Sequence, residues 1–415
     1  MGENNLVPLN REILSTVLLE QSEFLEKKDL GVEREALKIV KKNLKTSYAI
    51  VISGLRRVGK STLLAQIARN FYKNKYYFVN FEDERLQNFR VEDFNILHEV
   101  LISLFGEKKV FILDEIQNIS GWERFVRRMI DNGYKFYLTG SNASLLSKEL
   151  GTKLTGRYLP IELLPFSFGE YLLFFKINLP TKDILTTIEK GRLNKALDDY
   201  LISGGIPDHL KNPKSGWPEI LYNDVLFRDV VARYQIEEVK AIKELSFYLL
   251  SHISCLISFN KLKNLLKLGS VNTVKSYIDY LESAWLIFAI NRYDYSVKRQ
   301  QIANKKVYAI DSGLVKSVAF SFSPDRGRFL ENLVFLQLVR NCEGIYYYKT
   351  ESEKEVDFYL PKEKQLIQVC LDASNQETKD REITALLEAA RELNTNKTLL
   401  ITRDNVISWL LSGKI

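Results

Sequence analysis

The sequence predicts an α/β protein of several domains, led by a parallel sheet between helices. Five short runs rich in β-branched and aromatic residues fill positions 48–164, most of them separated by helix-length segments. A glycine-rich stretch, "GLRRVGKST" at 54–62, stands where the first run gives way to helical spacing. The chain has 415 residues, more than one compact core usually organises, so two or three domains are expected.

Composition is that of a globular protein, and no stretch is of low complexity. Cys255, Cys342 and Cys370 stand far apart with no CxxC spacing, which argues against a zinc site or a disulfide framework and suits a reducing interior. The opening "MGENNLVPLN" lacks the basic and apolar regions of a signal peptide, and Leu6 stands where a myristoylation signal wants Ser or Thr. The longest apolar run, "FYLLSHISCLISF", is broken by His252 and serines and is too short to span a bilayer. A cytoplasmic protein without membrane contact is expected. The formal charge of +7 is unevenly placed: residues 257–306 hold nine Lys/Arg against three Asp/Glu. Such a concentration points to a polyanion surface more than to an ordinary solvated face.

"YAIVIS" (48–53) reads as a buried strand, and "KSTLLAQIARNFY" has helical apolar spacing. The loop between them has the spacing of a phosphate-binding loop, in the strand–loop–helix context that gives the motif its mechanism. Backbone N–H groups of Gly54, Leu55, Arg56, Arg57, Val58 and Gly59 face the phosphates, with the helix N-terminus behind them. Lys60 reaches the β/γ oxygens, Ser61 offers a hydroxyl to Mg²⁺, and Thr62 completes the motif. Arg56 and Arg57 read as solvated or partner-facing. The remaining runs are "YYFVNFEDE", "KKVFILDEIQ", "YKFYLTGSN" and "RYLPIELL". In the second of these, Asp114 and Glu115 fall at the carboxyl end of a strand, where open α/β sheets bind ligands. Asp114 would hold the Mg²⁺ shell, directly or through water, and Glu115 would polarise the attacking water. Glu82 and Asp83 are either supporting groups or ordinary surface acids.

"GLRRVGKST", "FILDEIQN", "GWERFVRRMIDNG", "LTGSNASLL", "LTGRYLPIELLPFSFGEYL" and "ISGGIPDHL" together resemble the AAA+-type ATPases of bacteria and archaea that carry a C-terminal domain of unknown function. The resemblance covers almost the whole chain. It implies an ATPase core over 1–165, a helical lid over 166–220, a winged helix-turn-helix over 221–315 and a restriction-endonuclease-like domain over 316–415. It also implies ATP and Mg²⁺ as cofactors and a γ-phosphate sensor at Ser141 or Asn142, of which Asn142 is preferred. Arg157 matches the family's "GR" element, an arginine acting in cis or from a neighbouring subunit, so an oligomer, at least a transient one, is expected.

Within 223–310, "FNKLKNLL" and "VNTVKSYIDYLESAWLI" read as two helices with a short Gly-containing joint, followed by a hairpin with a basic tip. Ser270 or Asn272 caps the second helix, and Val274, Tyr277, Ile278 and Leu281 make its apolar stripe. In a winged helix, Asn272, Thr273, Lys275 and Ser276 would face a DNA groove, with Lys298 and Arg299 on phosphates; the same fold also serves protein contacts alone. In the last segment Glu331, Asp357, Gln368 and Cys370 take the acid, acid, Glu and Lys positions of a metal nuclease. With Gln368 and Cys370 there the site reads as degenerate, with Lys349 or Lys379 as a migrated cation. The functional expectation is Mg²⁺-dependent ATP hydrolysis coupled to DNA binding or remodelling. The alternative is a nucleotide-dependent switch that recruits a protein partner.

Overall fold

In the computed structural model, the described residues are 10–141, 154, 156–179, 186–213, 216–319, 325–371 and 376–413. They fall into two compact units, 1–163 and 164–415.

The first unit is built on five parallel strands: β1 (Ala49–Ser53), β2 (Tyr77–Asn80), β3 (Val110–Asp114), β4 (Lys135–Gly140) and β5 (Tyr158–Glu162). Their order is β2-β3-β4-β1-β5, so β4 lies between the loop-bearing strand and the Asp-Glu strand. β1 and β3 are buried along their whole length, which is why both read as unbroken apolar runs. Helix α1 (Arg11–Lys27), capped by Asn10, buries Leu14, Val17 and Leu18 in the core shared with Tyr77 and Val79 of β2. Helices α2 (Leu37–Lys42), α3 (Lys60–Ile67), α4 (Phe94–Phe105) and α5 (Trp122–Asp131) follow. Phe94 and Phe125 stack at 4.3 Å between α4 and α5, and Phe111 stacks on Phe136 at 5.0 Å across β3 and β4. The second pair packs the amino-terminal halves of β3 and β4 together, and the first joins the two helices.

The second unit opens with helices Phe168–Phe174 and Thr187–Ser203, each started by a capping box (Ser167 with Glu170, Thr186 with Glu189). The glycines of "ISGGIPD" do more than end the second of these helices. Asp311 accepts the Gly205 N–H at 2.6 Å and the Leu314 N–H at 3.1 Å. A Cβ at Gly204, where φ is +70°, would lie 2.1 Å from the Asp311 carboxylate, so only glycine fits.

A three-stranded antiparallel sheet follows, ordered β6-β8-β7, from β6 (Cys255–Ile257), β7 (Ile287–Ile290) and β8 (Lys305–Ala309). Between β6 and β7 lie helices Phe259–Leu265 and Val271–Ser283; Ser270 caps the latter, and Val274, Tyr277, Ile278 and Leu281 are buried. The connection from β7 to β8 departs from the expected plain hairpin: it contains a short helix, Val297–Ile302. Asp294 accepts the Ser296 N–H at 2.8 Å and Ser296 caps the helix, so an Asp-x-Ser start overrides the simple turn.

The last sheet, ordered β12-β11-β10-β9, comprises β9 (Tyr346–Lys349), β10 (Glu355–Leu360), β11 (Gln365–Cys370) and β12 (Lys397–Thr402). β9, β10 and β11 are antiparallel neighbours, and β12 runs parallel to β11. The Arg326–Asn341 helix stacks Phe335 on Tyr308 of β8 at 4.1 Å, and the Gln376–Glu392 helix buries Ala385, Leu386 and Ala389 with Val356 and Leu366. Among the described residues no helix is long and apolar enough to cross a membrane.

One buried carboxyl in this unit gives a pH dependence. Glu282 accepts the Ala289 N–H at 2.8 Å, and burial pushes its pKa up to about 7. A carboxyl that holds its proton more tightly when folded stabilises fully below its unfolded pKa and loses that contribution as pH rises through the folded one. Asp311, pushed up to about 6, acts in the same direction. The melting temperature of this unit is therefore expected to be lower at pH 8 than at pH 6, with Glu282→Gln removing part of the difference. A Gln variant with the wild-type slope would move the dependence off Glu282.

Candidate functional site

The phosphate-loop geometry starts from two glycines. A Cβ at Gly54 would lie 2.3 Å from the Leu163 carbonyl, and Gly59 has φ +98° immediately before α3. Arg57 also takes a left-handed conformation (φ +64°), turning the loop back over the helix start. Lys60 is 5% exposed. Its ammonium donates to the carbonyls of Gly54 (3.1 Å) and Leu55 (3.2 Å) and lies 3.8 Å from Glu115 Oε1.

Arg34, which no motif marks, underlies the loop: its guanidinium donates to the Val58 carbonyl at 2.8 Å. Gln66 of α3 accepts the Arg34 N–H at 3.2 Å and donates to the carbonyls of Leu30 and Val32, so the 30–34 segment is fastened to the helix behind the loop.

Asp114 and Glu115 reach the same place from the end of β3. Asp114 is buried and accepts hydrogen bonds from Ser61 and from the Thr139 hydroxyl at the end of β4. Burial, then the neighbouring Glu115, raises its pKa. Glu115 sits at φ +52°, with its N–H on Thr139 Oγ1 (3.1 Å) and its Oε2 accepting from Gln117 Nε2 at 2.5 Å. Lys60, Ser61, Asp114 and Glu115 are thus brought together, with Thr139 and Gln117 as supports the sequence did not signal. The Ser61 hydroxyl and Asp114 carboxylate are hard oxygen donors at the start of a helix, a donor set that fits Mg²⁺.

Asn142 lies outside the described residues, while Ser141 is buried. Arg157 precedes β5, and its carbonyl accepts the Ala49 N–H at the opposite end of β1 from the loop. Strands rise about 3.3 Å per residue, so roughly 13 Å of β1 separates Arg157 from its own chain's loop. Its guanidinium pairs with Asp131 at 3.0 Å. Arg56 pairs with Glu82 at 3.7 Å, and Asp83 with Arg85 at 2.9 Å.

On the Val271–Ser283 helix Asn272 and Lys275 are exposed, Thr273 and Ser276 half-buried. Lys275 stands 5.3 Å over the Phe259 ring. Lys298 is exposed, whereas Arg299 is engaged by Asp294 at 3.0 Å.

The four residues at the nuclease-like positions are only partly assembled. Gln368 accepts the Asp357 N–H at 3.0 Å and donates to Glu382 at 2.6 Å; Cys370 is buried. The cation that meets Glu331 and Asp357 is neither Lys349, paired with Glu353, nor Lys379: it is Lys306 of β8, 2.8 Å from both. Burial opposes the Lys306 charge, yet Asp357 foremost, with Tyr308, Glu331 and Glu355, keeps its pKa well above the usual lysine range. Burial, with Asp357 beside it, pushes the Glu331 carboxyl up to about 8.

Residues 46–172 match the model of an AAA domain, and 194–325 and 326–412 match two domains of unknown function, DUF8612 and DUF4143. An uncharacterized protein of Methanocaldococcus jannaschii is 37% identical, covering 95% of this chain and 90% of its own length. An uncharacterized protein of Haemophilus influenzae is 27% identical over 89% of this chain and 90% of its own. Among solved structures, the Aeropyrum pernix ORC1 protein in complex with DNA aligns with TM-score 0.33 and 16% identity, over 74% of this chain and 94% of its own. The chain belongs to the family of the Methanocaldococcus jannaschii protein, and its residues 46–172 make it a P-loop protein of the AAA class.

Proposed function

We propose that the protein is a Mg²⁺-dependent ATPase whose hydrolysis is coupled to DNA binding or remodelling. The observation that carries the ATPase reading is the convergence of Lys60, Ser61, Asp114 and Glu115 at the carboxyl ends of β1 and β3. The loop's backbone and the α3 N-terminus cradle the phosphates, and Lys60 neutralises their charge. Ser61 and Asp114 hold Mg²⁺, which when bound neutralises phosphate charge. Glu115 orients a water and takes its proton as attack begins, while Thr139 fixes the backbone at Glu115 and the carboxylate of Asp114. Arg157, held at the other end of β1, acts only on the nucleotide of a neighbouring copy, so full activity belongs to an oligomer.

The DNA reading rests on the basic segment 257–306, less two of its charges: Lys306 is buried among acids and Arg299 is held by Asp294. Lys261, Lys267, Lys275 and Lys298 remain exposed cations. ATP turnover measured with and without single-stranded, duplex and branched DNA tests the coupling. Stimulation of many-fold supports it, and slow turnover indifferent to all three favours a nucleotide switch that recruits a protein partner. Charge reversal of Lys275 and Lys298 is expected to weaken DNA binding across sequences. It should also flatten the plot of log affinity against log salt by about one unit for each phosphate left without its cation. An unchanged salt slope would move the DNA surface to another face, with the lysines at 38–45 the next to test.

A further inference from the structure

Lys306 and the carboxylates around it form a cluster that ATP chemistry does not use. The side chain is 2% exposed, and its Nζ lies 2.8 Å from Glu331 Oε1, from Glu355 Oε1 and from Asp357 Oδ1. An ammonium has three N–H donors, and here three carboxylate oxygens, from three different residues, stand at hydrogen-bond distance. The acids are themselves held in place: Tyr308 donates to Glu331 Oε1 at 2.8 Å, and the Val369 N–H donates to Asp357 Oδ2 at 2.9 Å. Carboxylates gathered under a protein surface need a cation, which either a basic side chain or a divalent metal ion can supply. The ammonium comes from a different part of the chain than the acids. Lys306 lies on β8 in the 194–325 segment, and the acids lie on the Arg326–Asn341 helix and on β10 in the 326–412 segment.

We propose that Lys306 is a resident cation that takes the place of a divalent metal ion in this acid cluster, closing it to metals while tying the three-stranded sheet to the four-stranded one. Glu355 is 31% exposed and gives the cluster its contact with solvent, so an ion could enter once the ammonium is gone. The substitution also accounts for Gln368. With a monovalent cation in the cluster a further carboxylate would add uncompensated charge, and a neutral amide that bonds Asp357 N–H and Glu382 does not.

The test is Mn²⁺ titration of the full-length, nucleotide-free chain, with Asp114→Asn in every sample to silence the phosphate-loop site. With Lys306 present, adding Asp357→Asn should leave the Mn²⁺ isotherm unchanged. Lys306→Met should gain one Mn²⁺ per chain, at least tenfold tighter than the background, and Lys306→Met with Asp357→Asn should lose it again. Should Lys306→Met fail to fold in metal-free buffer, refolding with Mn²⁺ should restore its circular dichroism, whereas refolding with EDTA should not. Asp357-dependent Mn²⁺ binding in the presence of Lys306, a Met variant that gains no site, or an unfolded Met variant that Mn²⁺ cannot restore would each overturn the proposal. So would Mn²⁺-dependent DNA cutting by the wild type that disappears in Asp357→Asn, which would make Lys306 part of a working nuclease.

Discussion

Replacing Lys60 with alanine should weaken ATP binding by about 100-fold or more and remove turnover. Lys60 is the buried cation at the mouth of the loop, its amine anchored by the Gly54 and Leu55 carbonyls within reach of the phosphate position. Charge-assisted hydrogen bonds are worth about 1.5–3 kcal/mol each, and two of them to phosphate oxygens give roughly 3–6 kcal/mol. Each 1.4 kcal/mol is about tenfold in affinity, so two or more orders of magnitude follow. Alanine keeps helix propensity at the start of α3, and the loop retains its Gly54 contact and its Arg34 support, so the melting temperature without nucleotide should hold. Titration with a fluorescent ATP analogue, together with a phosphate-release assay, reads both effects. An affinity within threefold of wild type would mean that the loop binds phosphate through its backbone alone.

Much of the first unit is readable in the sequence because its determinants are local. The strands of a parallel sheet covered on both faces are short apolar runs, and the loop's chemistry sits in nine consecutive residues. What the sequence hides depends on partners distant along the chain. Arg34 meets Val58 from 24 residues away, and Thr139 belongs to a strand whose apolar pattern masks the one hydroxyl that serves both Asp114 and Glu115. Lys306 reads as one more basic residue of a charged tip, because charge counting treats every lysine as surface. Its burial is decided by acids 25 to 51 positions further on. Arg157 shows the converse. The "GR" element is legible, but its place at the far end of β1 follows from the parallel pairing of β5, which no local pattern states.

Glu115→Gln should separate binding from chemistry. The amide is isosteric with the carboxylate, and the left-handed backbone at this position is held by the Thr139 hydroxyl and the 116–118 turn rather than by the side chain, so the geometry should survive. Gln117 donates to Glu115 Oε2, and an amide oxygen can accept that bond in the same place. What the variant cannot do is take a proton from the attacking water. A positioned base contributes about 10²- to 10⁴-fold, so hydrolysis should fall by that factor. ATP affinity should stay the same or rise slightly, because Lys60, 3.8 Å from Glu115 Oε1, loses a competing negative charge and turns more readily to phosphate. An interaction made only as the transition state forms lowers the rate without weakening ground-state binding, and that pattern distinguishes Glu115 from Lys60. The measurement is a single-turnover experiment with radiolabelled ATP bound to an excess of protein, which reports cleavage independently of product release. Asp114→Asn is the useful companion: Asp114 is assigned to Mg²⁺, so its loss should weaken Mg²⁺-dependent binding as well as turnover. If Glu115→Gln cleaves bound ATP within threefold of the wild-type rate, the base is another group.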